Sequence, residues 1–248
     1  MIVMSIAGID PSGGAGLFAD IKTFQNIGVY GTGIPIALTS QNPYKIFSLN
    51  PIEVSYIEEE IDSVLDGYNS IEFIKTGMLY SEEIIKLVSK KINEYNLKAI
   101  VDPVMVATSG GKLSKDNISD AILKYLLPKS ILTTPNINEA SYLSKIDIKN
   151  KEDALDAVLK IGKTCDVLIT GGHLNGINTL NLGGEISIIK EKLIESENLH
   201  GSGCVFSAAI VSYLALGNDL KIAIEKSFKY VNNGIKNGKY GTLINKNF

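Results

Sequence analysis

The 248-residue sequence is short of several things. It has only two cysteines, Cys165 and Cys204, far apart in the chain, so a disulfide framework is not what holds it together and a reducing compartment is expected. No apolar run approaches the about eighteen residues that a membrane span needs. The opening stretch MIVMSIAGIDPSGG has no basic region and runs straight into a glycine loop, so it reads as a first strand and not as a secretory leader. No cluster of Lys and Arg stands out, and the formal net charge is −3 with a sequence pI of about 5.5. That balance argues against a nucleic acid or an anionic membrane surface as partner. Internal repeats, low-complexity stretches and Pro/Gly/Ser linkers are missing too. These absences leave a cytoplasmic globular protein, with residues 1–248 expected to form one domain large enough to bury its own core.

What is there is a regular alternation. Ile2 to Ala7 is a short apolar run closed by Gly8 and suits a buried strand. Leu17, Ile21, Phe24 and Ile27 recur at helical spacing before Gly28. The same reading gives strands at Ile34–Leu38, Phe73–Ile74, Ala99–Val101, Ile131–Thr133 and Val167–Thr170. Helices are expected at Ile52–Leu65, from the Ser81 cap to about Tyr95, and at Ile118–Leu127, Asn136–Leu143 and Lys151–Lys163. From Asn178 to Glu195 the pattern shortens around Gly183-Gly184, as in a hairpin, and two helices follow at Cys204–Leu216 and Leu220–Lys236. An α/β fold with a mostly parallel sheet is the result.

Parallel sheets bind ligands at the carboxyl ends of their strands. Gly8–Gly16, Thr39–Asn42, Thr76–Met78, Asp102–Met105, Thr134–Glu139 and Thr170–His173 each follow a predicted strand, and together they mark a site. The most informative segment is His200-Gly201-Ser202-Gly203-Cys204 ahead of an alanine-bearing apolar helix. Glycines feeding a helix start expose N–H groups at the positive dipole end, which is an anion site. The competing reading is a plain glycine turn before a core helix. A thiol in the first helical turn tends to have a lowered pKa, so Cys204 can be a base for a substrate alcohol, or it can merely pack or orient that alcohol. The first loop, with four glycines from Gly8 to Gly16, is neither a P-loop nor a dinucleotide fingerprint.

The strings AGIDPSGGAGLFADIKTF at 7–24, GVYGTGIPIALTSQN at 28–42, KTGML at 75–79, VDPVMVATSGGKL at 101–113, TPNINEA at 134–140, TGGH at 170–173 and HGSGC at 200–204 resemble, in order, the hydroxymethylpyrimidine and phosphomethylpyrimidine kinases of thiamine synthesis. These belong to the ribokinase-like superfamily, and the resemblance implies a three-layer sandwich with helices on both faces of the sheet. It implies ATP and Mg2+, phosphorylation of 4-amino-5-hydroxymethyl-2-methylpyrimidine and then of its monophosphate, and a homodimer. It places a pyrimidine pocket at Ala15, Asp20, Gln41, Met78 and Val104, and the moving phosphoryl group at Gly201, Ser202, Gly203 and Cys204. Asn136 and Glu139 match an Asn-x-x-Glu element that organises magnesium, with Glu139 nearest the metal, while Thr170 and Gly172 lie by the nucleotide. Val104 to Lys112 would be a flap over the substrate. Three departures stand out: Thr170 and Thr108 replace lysines usual in the family, which is expected to weaken the triphosphate contacts or shift them to Lys112 or to magnesium, and Ser202 replaces threonine. A pyridoxal kinase of the same superfamily is the runner-up, and a non-catalytic pyrimidine sensor the third reading.

Overall fold

The computed structural model describes residues 1–105, 114, 118–172 and 174–245. Nine strands form one sheet in the order β3-β2-β1-β4-β5-β6-β7-β8-β9. They are β1 (Ile2–Ile9), β2 (Tyr30–Asn42), β3 (Lys45–Pro51), β4 (Phe73–Thr76), β5 (Lys98–Val101), β6 (Ser130–Thr133), β7 (Val167–Ile169), β8 (Ile177–Leu182) and β9 (Glu185–Lys190). From β2 through β7 the neighbours run parallel, whereas β3 at one edge and β8–β9 at the other pair antiparallel.

Residues alternate faces along each strand, and each face meets its own helices. Met4, Ile6, Ala99, Val101, Val167 and Ile169 pack with α2 (Val54–Gly67), α3 (Glu82–Glu94), α5 (Ile137–Ser144) and α6 (Lys151–Ile161). Val3, Ile100, Leu132 and Leu168, one step out of phase, pack with α1 (Gly16–Ile27), α7 (Ser202–Ala215) and α8 (Leu220–Lys236). The three layers expected from the resemblance are therefore present. Each fully buried Ile or Leu contributes about 1.5–3 kcal/mol to this packing, so both faces are strongly held. No helix among the described residues is long and apolar enough to cross a membrane.

Local signals explain most element ends. Ser81 accepts from the Ile84 N–H, with Glu82 and Glu83 in the first turn of α3. Gly28, at φ +98°, closes α1 by donating to the Phe24 and Gln25 carbonyls. Three expectations need correction. β2 extends to Asn42, so Thr39–Asn42 is strand and not loop. β3 was not foreseen: its residues are mostly exposed on both faces, so no alternation marks it. The Ile118–Leu127 segment is a short α4 (Ser119–Ala121) that widens into a π-helical turn at Ile122–Leu126.

Candidate active site

Strand β1 has β2 on one side and β4 on the other, both parallel to it. The chain thus leaves β1 in one direction and later returns on the other side, and a crevice opens where the loops part. The loops after β1, β4 and β5 and the start of α7 meet there.

At the start of α7, Gly201 has φ +83°, and a Cβ on it would stand 1.8 Å from the Gly14 carbonyl oxygen. Only glycine fits this left-handed, backbone-to-backbone contact. A Cβ on Gly203, by contrast, would meet nothing within 4 Å, so the helix start opens onto free space. The Ser202 N–H is taken by the Leu199 carbonyl at 3.1 Å, and the Gly203 and Cys204 amides belong to the first turn, which has no intrahelical acceptor for them. Of the predicted phosphoryl cradle, Ser202 is therefore the member whose amide is already engaged.

Beneath the cradle lies a buried charge cluster that was not foreseen in the sequence. Lys75, on β4 opposite Ser5 of β1, is fully buried and lies 3.0 and 2.8 Å from the two Asp20 carboxylate oxygens. Ser5 Oγ donates to Asp20 at 2.6 Å. Lys75 is also 3.8 Å from Asp102, whose carboxylate accepts from Ser207 Oγ at 3.2 Å. Asp20, expected in the pyrimidine pocket, has no exposed surface and both oxygens engaged, so it sits in the floor of the crevice. Burial alone would lower the Lys75 pKa, but attraction from Asp20, Cys204 and Asp102 carries it above its ordinary value. Burial raises both carboxyls, and their mutual repulsion adds to the rise at Asp102. The signal available was a lysine inside the apolar strand Phe73–Thr76, a charge that a buried strand tolerates only with a partner.

Cys204 also departs from expectation. The residue keeps part of its surface open, yet the crowding of its thiol pushes the pKa up to about 12; Lys75 and the Gly16 N–H oppose this, while Asp102 and Asp20 reinforce it. The pull of the helix end is outweighed, and the thiol is neutral near pH 7.

Around the crevice the other predicted residues fall as follows. Met78 reaches over the end of β1, where a Cβ on Gly8 would be 2.5 Å from its Cε. Val104 is half-buried beside it in the loop after Asp102, donating to the Asp102 carbonyl at 2.8 Å. Ala15, the N-cap of α1, donates its N–H to Asp10 Oδ2 at 2.9 Å. Gln41, on β2, lies near enough to Asp10 to help depress that carboxyl. Asn136 and Glu139 form a capping box at α5, with Asn136 Oδ1 3.0 Å from the Glu139 N–H and Glu139 Oε2 2.9 Å from the Asn136 N–H. Burial, then the Asp102 charge, raises the Glu139 pKa well above the carboxylate range. The Thr170 N–H donates to the Pro135 carbonyl at 2.9 Å, and a Cβ on Gly172 would meet open space. Flap residues 106–112, including Thr108 and Lys112, and His173 lie outside the described residues. A shallow depression lined by Glu58, Glu59, Asp62 and Asp66 lies on α2, away from these loops, and has the wrong charge for a polyphosphate.

An α/β sheet with a glycine-fed helix start at its switch point fits the ribokinase-like class of small-molecule kinases. A family profile described as phosphomethylpyrimidine kinase matches residues 10–246. The chain is 35% identical over 242 residues to the hydroxymethylpyrimidine/phosphomethylpyrimidine kinase of Bacillus subtilis (strain 168), covering 94% of this chain and 89% of the relative. Among solved structures it is similar to an ADP complex of B. subtilis pyridoxal kinase, at TM-score 0.87 and 34% identity over 95% and 91% of the two chains. It is also similar to phosphomethylpyrimidine kinase from Clostridium difficile 630, at TM-score 0.82 and 34% identity over 94% and 98%. The chain belongs to the phosphomethylpyrimidine kinase family.

Proposed function

We propose that the protein transfers the γ-phosphoryl group of ATP to the hydroxymethyl oxygen of 4-amino-5-hydroxymethyl-2-methylpyrimidine, and a second one to the resulting monophosphate, as a step of thiamine biosynthesis. The observation that carries this reading is the start of α7, open at Gly203 and locked at Gly201, facing the crevice between β1 and β4. In phosphoryl transfer the protein's main tasks are positioning and charge stabilisation. The Gly203 and Cys204 amides receive the moving group, while Met78 and Val104 wall the ring. The Gln41 oxygen accepts from the ring amino group. As the new P–O bond forms and ADP departs, the hydroxyl proton passes to a phosphate oxygen or to solvent; a neutral Cys204 thiol orients that hydroxyl and is not the group that takes its proton at the outset.

The donor set suits a magnesium ion. Glu139 and Asp102 are two carboxyls, the charge of Asp102 helping to raise the Glu139 pKa, and Thr134 Oγ1 is buried with no hydrogen-bond partner among the described residues. Oxygen ligands of this kind fit a hard divalent cation, which when bound neutralises charge on the phosphates. Asn136, Thr170 and Gly172 border the nucleotide side. A homodimer is part of the same reading, and sedimentation would test it.

Pyridoxal phosphorylation is the second reading, favoured by the B. subtilis pyridoxal kinase neighbour. ATP turnover measured with the hydroxymethylpyrimidine, its monophosphate, pyridoxal and ribose separates the two. Turnover on the pyrimidines above that on pyridoxal is expected; the reverse order overturns the substrate assignment. Tight pyrimidine binding without turnover of any substrate would make the protein a sensor.

A further inference from the structure

Two side chains beside the cradle have no part in the reaction described above, yet they join its halves. Asp10 follows β1, and His200 precedes Gly201. His200 Nε2 lies 2.7 Å from Asp10 Oδ2. Asp10 Oδ1 accepts from the Ser12 N–H at 2.8 Å, and Oδ2 also accepts from the Ala15 N–H at 2.9 Å. Three donors converge on this one carboxylate. They come from the first glycine loop, the start of α1 and the loop before α7. One nearly buried group, 2% exposed, thus ties together three segments that border the crevice.

The contact is tight on the histidine side as well. A Cβ on Gly14 would be 2.6 Å from His200 Cδ2 and 2.7 Å from Thr242 Cγ2, so the imidazole edge is the surface on which the first loop rests. Behind it, the His200 N–H donates to the Gly241 carbonyl at 3.2 Å, and Asn198 Oδ1 accepts from the Gly241 N–H at 2.8 Å. Because an ionised carboxylate cannot donate, Nε2 carries the hydrogen in this pair. Nδ1 is buried with no partner among the described residues. The side chain's polar contact is thus spent on Asp10.

We infer that Asp10 and His200 form a clasp that fixes the spacing between the glycine loop after β1 and the start of α7, and that they are positioning residues for phosphoryl transfer. The reason is geometric. Gly14 and Gly201 meet backbone to backbone, a contact with no side chain to hold it. If it loosens, the Gly203 and Cys204 amides shift relative to the pocket that holds the acceptor. Misplacement by about 1 Å is enough to cost up to ~100-fold in rate.

This inference rests on the kinase reading but not on the choice of acceptor, so it is tested with whichever hydroxymethyl substrate the wild type phosphorylates. His200→Ala removes the clasp. His200→Gln places an amide nitrogen where Nε2 stands and keeps an N–H for Asp10. Steady-state kinetics and thermal melting are run on both. The expected result is a fall in kcat of at least about tenfold for His200→Ala, with a smaller change in KM for ATP, and recovery of most of that loss in His200→Gln. Kinetics within twofold of wild type in His200→Ala would overturn the inference. So would equal kinetic impairment of the two variants, because a filler role depends on shape and not on the N–H.

Discussion

The buried pair of Lys75 and Asp20 allows a quantitative test. Lys75→Met keeps the length and apolar stem of the side chain but removes the charge. Asp20 is then left fully buried with Ser5 Oγ as its remaining donor. Removing one partner of a buried ion pair costs about 3–5 kcal/mol, mostly because the other charge is left uncompensated. For a chain of this size each kcal/mol moves the midpoint by roughly 2–4 °C, so melting should fall by roughly 6–20 °C. The pH dependence has a definite sign. Burial already raises the Asp20 pKa, and losing Lys75 raises it further. A carboxyl with a raised folded-state pKa favours folding at low pH and loses that contribution as pH rises through the folded value. The deficit of Lys75→Met should therefore be smaller near about pH 5 than near about pH 8. Adding Asp20→Asn, which can still accept from Ser5, should recover a large part of the loss, since a neutral pair carries no unpaired charge. Urea denaturation at both pH values measures all three variants. A Lys75→Met deficit below about 1 kcal/mol, a deficit independent of pH, or a double variant no more stable than the single would refute the reasoning.

Three further outcomes follow from the site. Glu139→Gln keeps an acceptor for the Asn136 N–H but removes a charge whose pKa burial and Asp102 raise; without magnesium it should melt higher than wild type near about pH 8, with the gap closing toward about pH 4. Added magnesium should raise the melting point of the wild type and not of this variant, and a variant less stable near neutral pH would contradict the account. Gly201→Ala, at φ +83° with its Cβ 1.8 Å from Gly14 O, should lose at least about 1–3 kcal/mol of stability and most of its turnover, as calorimetry and the kinase assay would show. With burial pushing Cys204 up to about 12 and Cys165 up to about 11, iodoacetamide should label the native protein slowly near neutral pH and faster as pH rises; rapid neutral labelling of Cys204 would restore the low-pKa thiol.

Much of the architecture is readable because buried elements impose a period. Phe24 and its helical neighbours mark α1, and Gly183-Gly184 marks the turn between β8 and β9. β3 escapes because its burial is slight on both faces, and with no core side an edge strand has no pattern to show. The cradle glycines were visible, but why Gly201 must be glycine depends on Gly14, nearly two hundred residues away. Cys204 shows where local rules stop: a first-turn thiol suggests a lowered pKa, while burial beside Asp102 and Asp20, known only once the chain is folded, reverses the direction. The pairing of Lys75 with Asp20 and Asp102 is not legible in the sequence for a related reason. Each sits in an unremarkable string, and their importance comes from meeting Asp20 and Ser207 across different elements.

The position of α7 also sets an order of events. β1, α1 and β4 belong to the first third of the chain, whereas α7 begins at Ser202 and supplies Ser207 to Asp102. During synthesis some two hundred residues must emerge before the helix that roofs the charge cluster exists. Until then Asp20 on α1, Lys75 on β4 and Asp102 after β5 lack the layer that carries Ser207, so that side stays open to water and the full cost of burying them is not yet incurred. Docking of α7 dries that cluster and presents the Gly203 amides in the same movement. A growing chain is thus unable to grip a polyphosphate early, and the last layer to arrive completes both the core and the site.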